Sequence, residues 1–558
     1  MTPADHAGSA GSGDLHERAR RWLAEDPDPD TRAELDALLV TDDIEQIADR
    51  FDGTLEFGTA GLRGALGAGP NRMNRAVVIR AAAGLAAYVQ AHGGGAVVVG
   101  FDARHKSDVF ARDTAEVLSG AGLAAIVLPR PLPTPVLAFA IRHFGCAAGV
   151  MVTASHNPPQ DNGYKVYLGN GSQIVPPTDA EIAAFIEAVG PLDSVLRGDD
   201  WTTAGDEALE AYLDRAAALV RVDAAAAADL QIVYTPMHGV GRDVVLAAFA
   251  RSGLPTPVVV TSQAEPDPEF PTVAFPNPEE PGAMDLAFAT ARDFGADIVL
   301  ANDPDADRCA LGVRTPSGRY RMLRGDEVGA LLGTHLIRRG ARGTLACSIV
   351  SSSLLAKIAD AAGLPFAETL TGFKWIARVP DLAYGYEEAL GYCVDPEHVR
   401  DKDGVSAALL LAELAATLKA SGRTLDDELD DIARVHGLHH TDQLSVRVDD
   451  LATITNVMQR LRADPPTRLG GRDVLSAEDL ALGAGDLPPT DGLRYRLEGD
   501  ARIIVRPSGT EPKLKCYLEV IVPVGSVVPA GDVGAARAVA IDSMADLKAD
   551  LAAAAGID

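Results

Sequence analysis

The chain predicts an α/β fold: three related α/β domains in tandem, with mixed or parallel sheets, and then a smaller α+β domain at the C-terminal end. Three observations carry that reading. The 558 residues are enough for about four domains of ordinary size. A pattern of apolar run, polar loop, helical stretch, Gly-Leu and second apolar run occurs three times. The tail instead alternates apolar and polar residues with a period of two.

Taken in order, residues 1–55 are acidic and helix-favouring, as in HERARRWLAEDPDPDTRAELDALL, and predict a helical N-terminal extension. The repeats follow at residues 96–128, 230–260 and 344–370, with Gly-Leu pairs at 122–123, 253–254 and 363–364. Glycine just past a helix end accepts the left-handed conformation that closes it. Each unit favours parallel strands joined by a right-handed crossover. The expected domains are 56–200, 207–318 and 320–438, with joints at 190–208, near 315–325 and near 421–442. Six prolines within residues 265–282 exclude an ordinary helix there, leaving an ordered or a mobile loop. The tail domain, 440–558, carries alternating segments such as ARIIVRPSG and KLKCYLEVIV and a final Ala-rich amphipathic helix over roughly 533–555.

Composition narrows the function. Asp and Glu number 79 against 50 Lys and Arg, a net charge of −29. Such a surface repels nucleic-acid backbones and anionic lipid, although a local cation cluster can still receive a small anion. No apolar run reaches the length of a membrane span, and the N-terminal residues lack the pattern of a secretory signal. Five scattered cysteines without a C-x-x-C pair read as thiols, and a cytoplasmic protein is expected.

Five segments can carry chemistry. D-P-D-A-D-R at 303–308 follows the apolar run ADIVLA, on the loop leaving a strand, where ligands gather in open α/β sheets. Asp303, Asp305 and Asp307 alternate, so their carboxylates can converge, and three hard oxygen donors suit Mg²⁺. The alternative is a solvated acidic loop. T-A-S-H-N-P at 153–158 sets the Ser155 hydroxyl beside His156, a nucleophile with a neighbouring base or else a turn. Lys165 lies ten residues on. In R-P-S-G-T-E-P, 506–512, Arg506 can grip phosphate and Ser508, Gly509 and Thr510 offer hydroxyls and backbone N–H groups; a plain turn is the alternative. F-G-T-A-G-L-R-G at 57–64 surrounds Arg63 with glycine. G-Y-E-E-A-L-G-Y at 385–392 pairs Glu387 with Glu388, which can accept bonds from sugar hydroxyls or begin a helix, and Lys374 in T-G-F-K can meet a phosphate. His238 reads as structural. No P-loop and no dinucleotide fingerprint occurs.

In this combination and order the segments resemble the α-D-phosphohexomutase family, from about residue 50 to 525, and most closely its phosphopentomutase-like branch of phosphoglucomutases. The resemblance implies four domains around a central cleft and a mutase exchanging sugar 1-phosphate with sugar 6-phosphate, glucose first and mannose second. It makes Ser155 the phosphorylated carrier. It makes Asp303, Asp305 and Asp307 the Mg²⁺ ligands, with a phosphate oxygen on Ser155 completing the shell. Arg63 and Arg308 would stabilise the transferring phosphoryl group, and His156 and Lys165 would move protons. Glu387 would bind sugar, and Arg506, Ser508, Gly509, Thr510 and Lys515 would dock the other phosphate. A sugar 1,6-bisphosphate is the implied intermediate and activator, and the implied partner is a phosphosugar, with neither nucleic acid nor membrane, acting on a monomer or homodimer. Ala389 departs from the serine of the hexose enzymes. That opens two further readings, a phosphopentomutase and a sugar-bisphosphate synthase. A phosphatase using Asp303, which the residue at 307 disfavours, and a non-catalytic scaffold are the remote ones.

Overall fold

The computed structural model describes residues 7–556 apart from 59–60, 223–226, 448–450, 486, 508–512, 528 and 530. The first sheet comprises β1 (Leu62–Ala65), β2 (Val97–Phe101), β3 (Ala125–Val127), β4 (Ala148–Val152), β5 (Asp161–Leu168) and β6 (Thr202–Thr203), the central β2 and β4 being Val-rich. Their order is β1-β5-β4-β2-β3-β6, parallel at the centre and antiparallel where β5 meets β4 and β1. The second sheet comprises β7 (Ile232–Thr235), β8 (Val258–Val259), β9 (Ile298–Ala301), β10 (Ala310–Arg314) and β11 (Tyr320–Met322). Here β7 runs parallel to β8 and β9, and β10 returns antiparallel. In the third, β12 (Thr344–Ser348) lies parallel to both β13 (Phe366–Thr369) and β14 (Leu382–Glu387), and β15 (Gly391–Cys393) follows in the chain.

The tail sheet is antiparallel throughout: β16 (Leu438–Arg447), β17 (Arg468–Leu469), β18 (Arg472–Asp479), β19 (Leu493–Leu497), β20 (Arg502–Pro507) and β21 (Lys513–Val522), in the order β16-β21-β20-β19-β18-β17. Helix Val533–Ala555 buries Met544, Leu547 and Leu551 in the core of this sheet. The fold is therefore four tandem α/β domains with mixed sheets and a smaller C-terminal domain.

The chain divides into two compact units, Met1–Met322 with Gly391–Thr417, and Leu323–Leu390 with Leu418–Asp558. Within the first, helices Ala7–Glu25, Pro29–Thr41 and Ile44–Phe51 close a small core of Ala19, Leu35, Ile47 and Phe51 with Ala68. Asp28 and Asp43 cap the second and third of these helices by accepting from the N–H groups of Asp30 and Gln46. The Pro-dense stretch 265–282 is ordered: Phe270, Val273 and Asn277 are buried in it.

Two of the expected joints carry regular structure of their own. Residues 315–319 make the tight turn between β10 and β11, closed by the Thr315 N–H on the Arg319 carbonyl. The polar run at 421–442 is the helix Leu425–His436, begun by a reciprocal cap between Thr424 and Asp427, followed at once by β16. Its acidic residues crowd the first turn, where the helix dipole favours them. Among the described residues no single helix is long and apolar enough to cross a membrane.

The three repeat glycines behave alike. Gly122, Gly253 and Gly363 each follow a helix with φ of +79°, +78° and +65°. Beyond them the Leu123 and Leu364 N–H groups reach back to Leu118 and Ala359 carbonyls. A Cβ on Gly253 would meet nothing within 4 Å, so only the backbone conformation opposes a side chain. Gly253→Ala should therefore cost about 1 kcal/mol, read as a lower denaturant midpoint for the unfolding step of the first unit.

Candidate active site

The buried strand β9 delivers its following loop to the interior of the first unit. Asp303, Asp305 and Asp307 are each 0% exposed, and one carboxylate oxygen from each lies within 4.8 Å of the others. The loop is held by its backbone. The Val240 N–H donates to the Pro304 carbonyl at 2.9 Å, and Asn302 bridges from Tyr234 to the Arg308 carbonyl. A Cβ on Gly239 would lie 2.4 Å from the Pro304 Cα, so glycine is required for that approach.

Cations from separate stretches face the three carboxylates. Lys165, projecting from β5, places Nζ 2.8 Å from Asp305 and 3.1 Å from Asp307. Lys402 reaches Asp307 at 3.0 Å, and the Arg308 guanidinium stands 3.8 Å from both Asp303 and Asp307. Thr134 clasps Asp305 twice, by its hydroxyl at 2.6 Å and by its N–H on the Asp305 carbonyl. Burial, with Asp305 and Asp307 beside it, pushes Asp303 well above the usual carboxylate range. Burial also works to raise Asp307, but Lys165, Lys402 and Arg308 outweigh it and hold that carboxyl low.

Ser155 is buried at the turn after β4, and its hydroxyl donates to Asp303 at 3.0 Å. His156 Nδ1 lies 3.2 Å from the same oxygen. Burial, then Arg308 and Arg63, drive the His156 pKa well below its ordinary value, so the ring is neutral at neutral pH. Lys165 goes the other way. Burial lowers it, but Asp305 and Asp307 more than reverse that, so its amine stays protonated. The lowered pKa that would make Lys165 a base is absent in this arrangement. Arg63, on β1, reaches the serine loop through the Asn157 side chain at 3.2 Å. Sequence reasoning missed Lys402 and Thr134. Neither sits in a motif, and the topology of the fold alone brings them to the aspartates.

The remaining predicted residues belong to the second unit. Glu387 ends β14, which removes the helix-start alternative, and its carboxylate accepts the Gly372 N–H at 2.7 Å. Gly372 opens the short helix Phe373–Ile376 that carries Lys374. Glu388 accepts from the hydroxyls of Ser348 and Ser351 at 3.1 and 3.0 Å. On the tail sheet Arg506 lies directly opposite Lys515 across the β20–β21 pair. Ser508, Gly509 and Thr510 lie outside the described residues.

Four family models match consecutive stretches: phosphoglucomutase/phosphomannomutase domains I, II and III over residues 54–191, 210–318 and 324–435, and the C-terminal domain over 444–521. The chain belongs to the phosphoglucomutase/phosphomannomutase family. A probable phosphomannomutase of Haemophilus influenzae is 49% identical over 80% of this chain and 93% of its own. A phosphopentomutase of Mus musculus is 35% identical over 95% of this chain and 94% of its own. A solved putative phosphomannomutase from Thermus thermophilus has a TM-score of 0.69 at 28% identity, covering 87% of this chain and 99% of that one. The protein is accordingly a phosphosugar mutase, an isomerase that works by phosphotransfer.

Members of this phosphohexomutase family depend on Mg²⁺, and the first unit offers a site that fits. Its donors are all hard oxygens, and Asp305 Oδ1 and Asp307 Oδ1 are buried without a hydrogen-bond partner among the described residues. Asp303, Asp305 and Asp307 would hold the ion.

Charge compensation also fixes the serine-rich turn after β12. Arg502, on β20, binds Glu519 of β21 at 2.7 Å and donates to the Ile349 and Ser351 carbonyls. Glu519 accepts from Ser352 and Ser353 and faces His439 at 2.9 Å. Burial would raise Glu519, but Arg502, His439 and Ser352 together outweigh it and hold the carboxyl below the glutamate range. A depressed carboxylate stabilises above its unfolded pKa of about 4.5 and stops doing so as pH falls through the folded value. Glu519→Gln, which leaves Glu368 at 3.3 Å as the acidic partner of Arg502, should cost about 2 kcal/mol at pH 7, and the gap to wild type should shrink below pH 4.5 in pH-dependent denaturation.

Proposed function

We propose that the protein interconverts sugar 1-phosphates and sugar 6-phosphates, glucose first and mannose second, through a phosphorylated Ser155 and a sugar 1,6-bisphosphate. The observation that carries this reading is the Ser155 hydroxyl, 3.0 Å from Asp303 and 3.2 Å from a neutral His156. A nucleophile, a base and a cation site within hydrogen-bond reach are what phosphoryl relay needs.

Charge arithmetic supports it. Three aspartates face Lys165, Lys402 and Arg308, a balance of zero among these described groups. A divalent ion adds two positive charges, and a phosphoserine near −2 restores neutrality. When bound, Mg²⁺ supplies Lewis-acid stabilisation of charge on the phosphoryl oxygens. As the phosphoryl group passes from Ser155 to a sugar hydroxyl, the hydroxyl proton must reach Ser155 Oγ, and His156 Nδ1 stands where it can relay that proton. Arg63 and Arg308 are placed to steady the group in flight. Glu387, Glu388 and Lys374 would orient the sugar. Arg506 and Lys515 stand side by side on adjacent strands, two cations at one place on the sheet. That supports a dock there for the phosphate not being transferred, with Ser508, Gly509 and Thr510 completing it.

A pentose reading is favoured by two observations: the 35% identical relative named a phosphopentomutase, and Ala389, which lacks a hydroxyl two residues after Glu387. A coupled assay over glucose, mannose, ribose and deoxyribose 1-phosphates decides between them; highest kcat/KM on a hexose supports the first reading, and on a pentose the second. Ser155→Ala should lose at least about 100-fold in kcat, and peptide mass spectrometry should find phosphate on Ser155 after incubation with a sugar bisphosphate. Phosphate on Asp303 instead would replace the serine relay with a phosphatase-like mechanism.

A further inference from the structure

The Pro-dense loop 265–282 has no part in the reaction described so far, yet it is built against the serine turn. Ser155 has a φ of +54°, a left-handed conformation that a non-glycine residue keeps only when its surroundings impose it. Arg104, 4% exposed, supplies that constraint. One guanidinium nitrogen donates to the Ser155 carbonyl at 2.7 Å and to that of Asn157, and the other to those of Pro158 at 2.8 Å and Asp161 at 3.2 Å. Four carbonyls of one turn thus converge on a single side chain. Asp102 anchors that side chain from behind, 3.4 Å from its Nε.

The face of the guanidinium is covered by the loop of the second domain, with the Arg104 carbon 4.9 Å from the centre of the Phe270 ring. Phe270 is itself buried and held at a φ of +45°. The loop is pinned by His238, whose ring meets Thr272 at 2.9 Å and whose backbone bonds to Gln263 and Asp267. Further along, Phe275 stands 6.1 Å from the His156 ring. The loop therefore meets Arg104, which holds the serine turn, and the imidazole beside the serine hydroxyl.

We infer that Arg104 is a positioning residue for Ser155, and that the loop 265–282 serves as a strut from the second domain, setting the serine turn through Phe270 on Arg104 and Phe275 beside His156. This rests on Ser155 as the phosphoryl carrier. A planar fork reaching four acceptors cannot be replaced by a point charge, and an error of about 1 Å at a reacting atom can cost about 100-fold. The strut acts on the reacting oxygen and leaves sugar recognition alone.

The test uses the full-length Mg²⁺-loaded enzyme, with glucose 1-phosphate and glucose 1,6-bisphosphate as probes. Arg104→Lys should lower kcat about 10- to 100-fold with KM within about threefold, and should slow Ser155 phosphorylation by the bisphosphate in proportion. Phe270→Leu, which keeps the apolar cover and removes the ring face, should lower kcat about three- to tenfold with KM again unchanged. Wild-type kcat in Arg104→Lys would overturn the inference. So would a loss carried by KM, or a Phe270→Leu enzyme of full kcat, even if Arg104→Lys proves unfolded by circular dichroism. Undiminished turnover in Ser155→Ala is a different failure, that of the carrier reading itself.

Discussion

Three carboxylates with no access to water cannot sit together unless their charge is met, and the first unit is organised around meeting it. The apolar strand β9 carries Asp303, Asp305 and Asp307 inward. The compensating groups come from far along the chain: Lys165 from β5, Lys402 from the stretch before helix Gly404–Ala420, and Thr134 from the start of helix Thr134–His143. Each must be delivered within about 3 Å, so the first two domains and the returning segment Gly391–Thr417 are tied by one electrostatic demand. Ser155 enters the same network through its bond to Asp303, which places its hydroxyl at the edge of the charged centre.

Local pattern made much of this legible. The Gly-Leu repeats were readable because a helix end needs a left-handed residue whatever surrounds it, and all three glycines take that conformation. The aspartate triplet and the serine–histidine pair were readable because contiguous residues supply the chemistry. Lys402, Thr134 and Arg104 were not, since each acts across more than fifty residues of chain and nothing local distinguishes it. The same reason governs Lys165, whose position was seen but whose pKa direction depends on Asp305 and Asp307. For Glu387 and Glu388 a sugar-binding pair and a helix start were both open, and strand β14, which ends at Glu387, removed the helix start.

The second unit applies the same rule with a different outcome. There one buried acid, Glu519, is matched by Arg502, the Ser352 hydroxyl and the Ser353 N–H, so its charge is closed within the protein. The pair joins the tail sheet to the serine turn that binds Glu388, and Ile349, Val350, Leu480 and Ile504 form an apolar core beside it. A closed pair gives rigidity. The aspartate triad still holds two buried oxygens without hydrogen-bond partners, and that gives a place for an ion.

The account turns on that difference, and Mg²⁺ binding measured by calorimetry together with thermal unfolding tests it most directly. Wild-type protein stripped with a chelator should bind one Mg²⁺ and gain about 2.7 kcal/mol at a hundredfold excess over Kd, whereas Asp305→Asn should fold without the ion and gain little from it. Equal Mg²⁺ affinity and equal stabilisation in the two proteins would contradict the account.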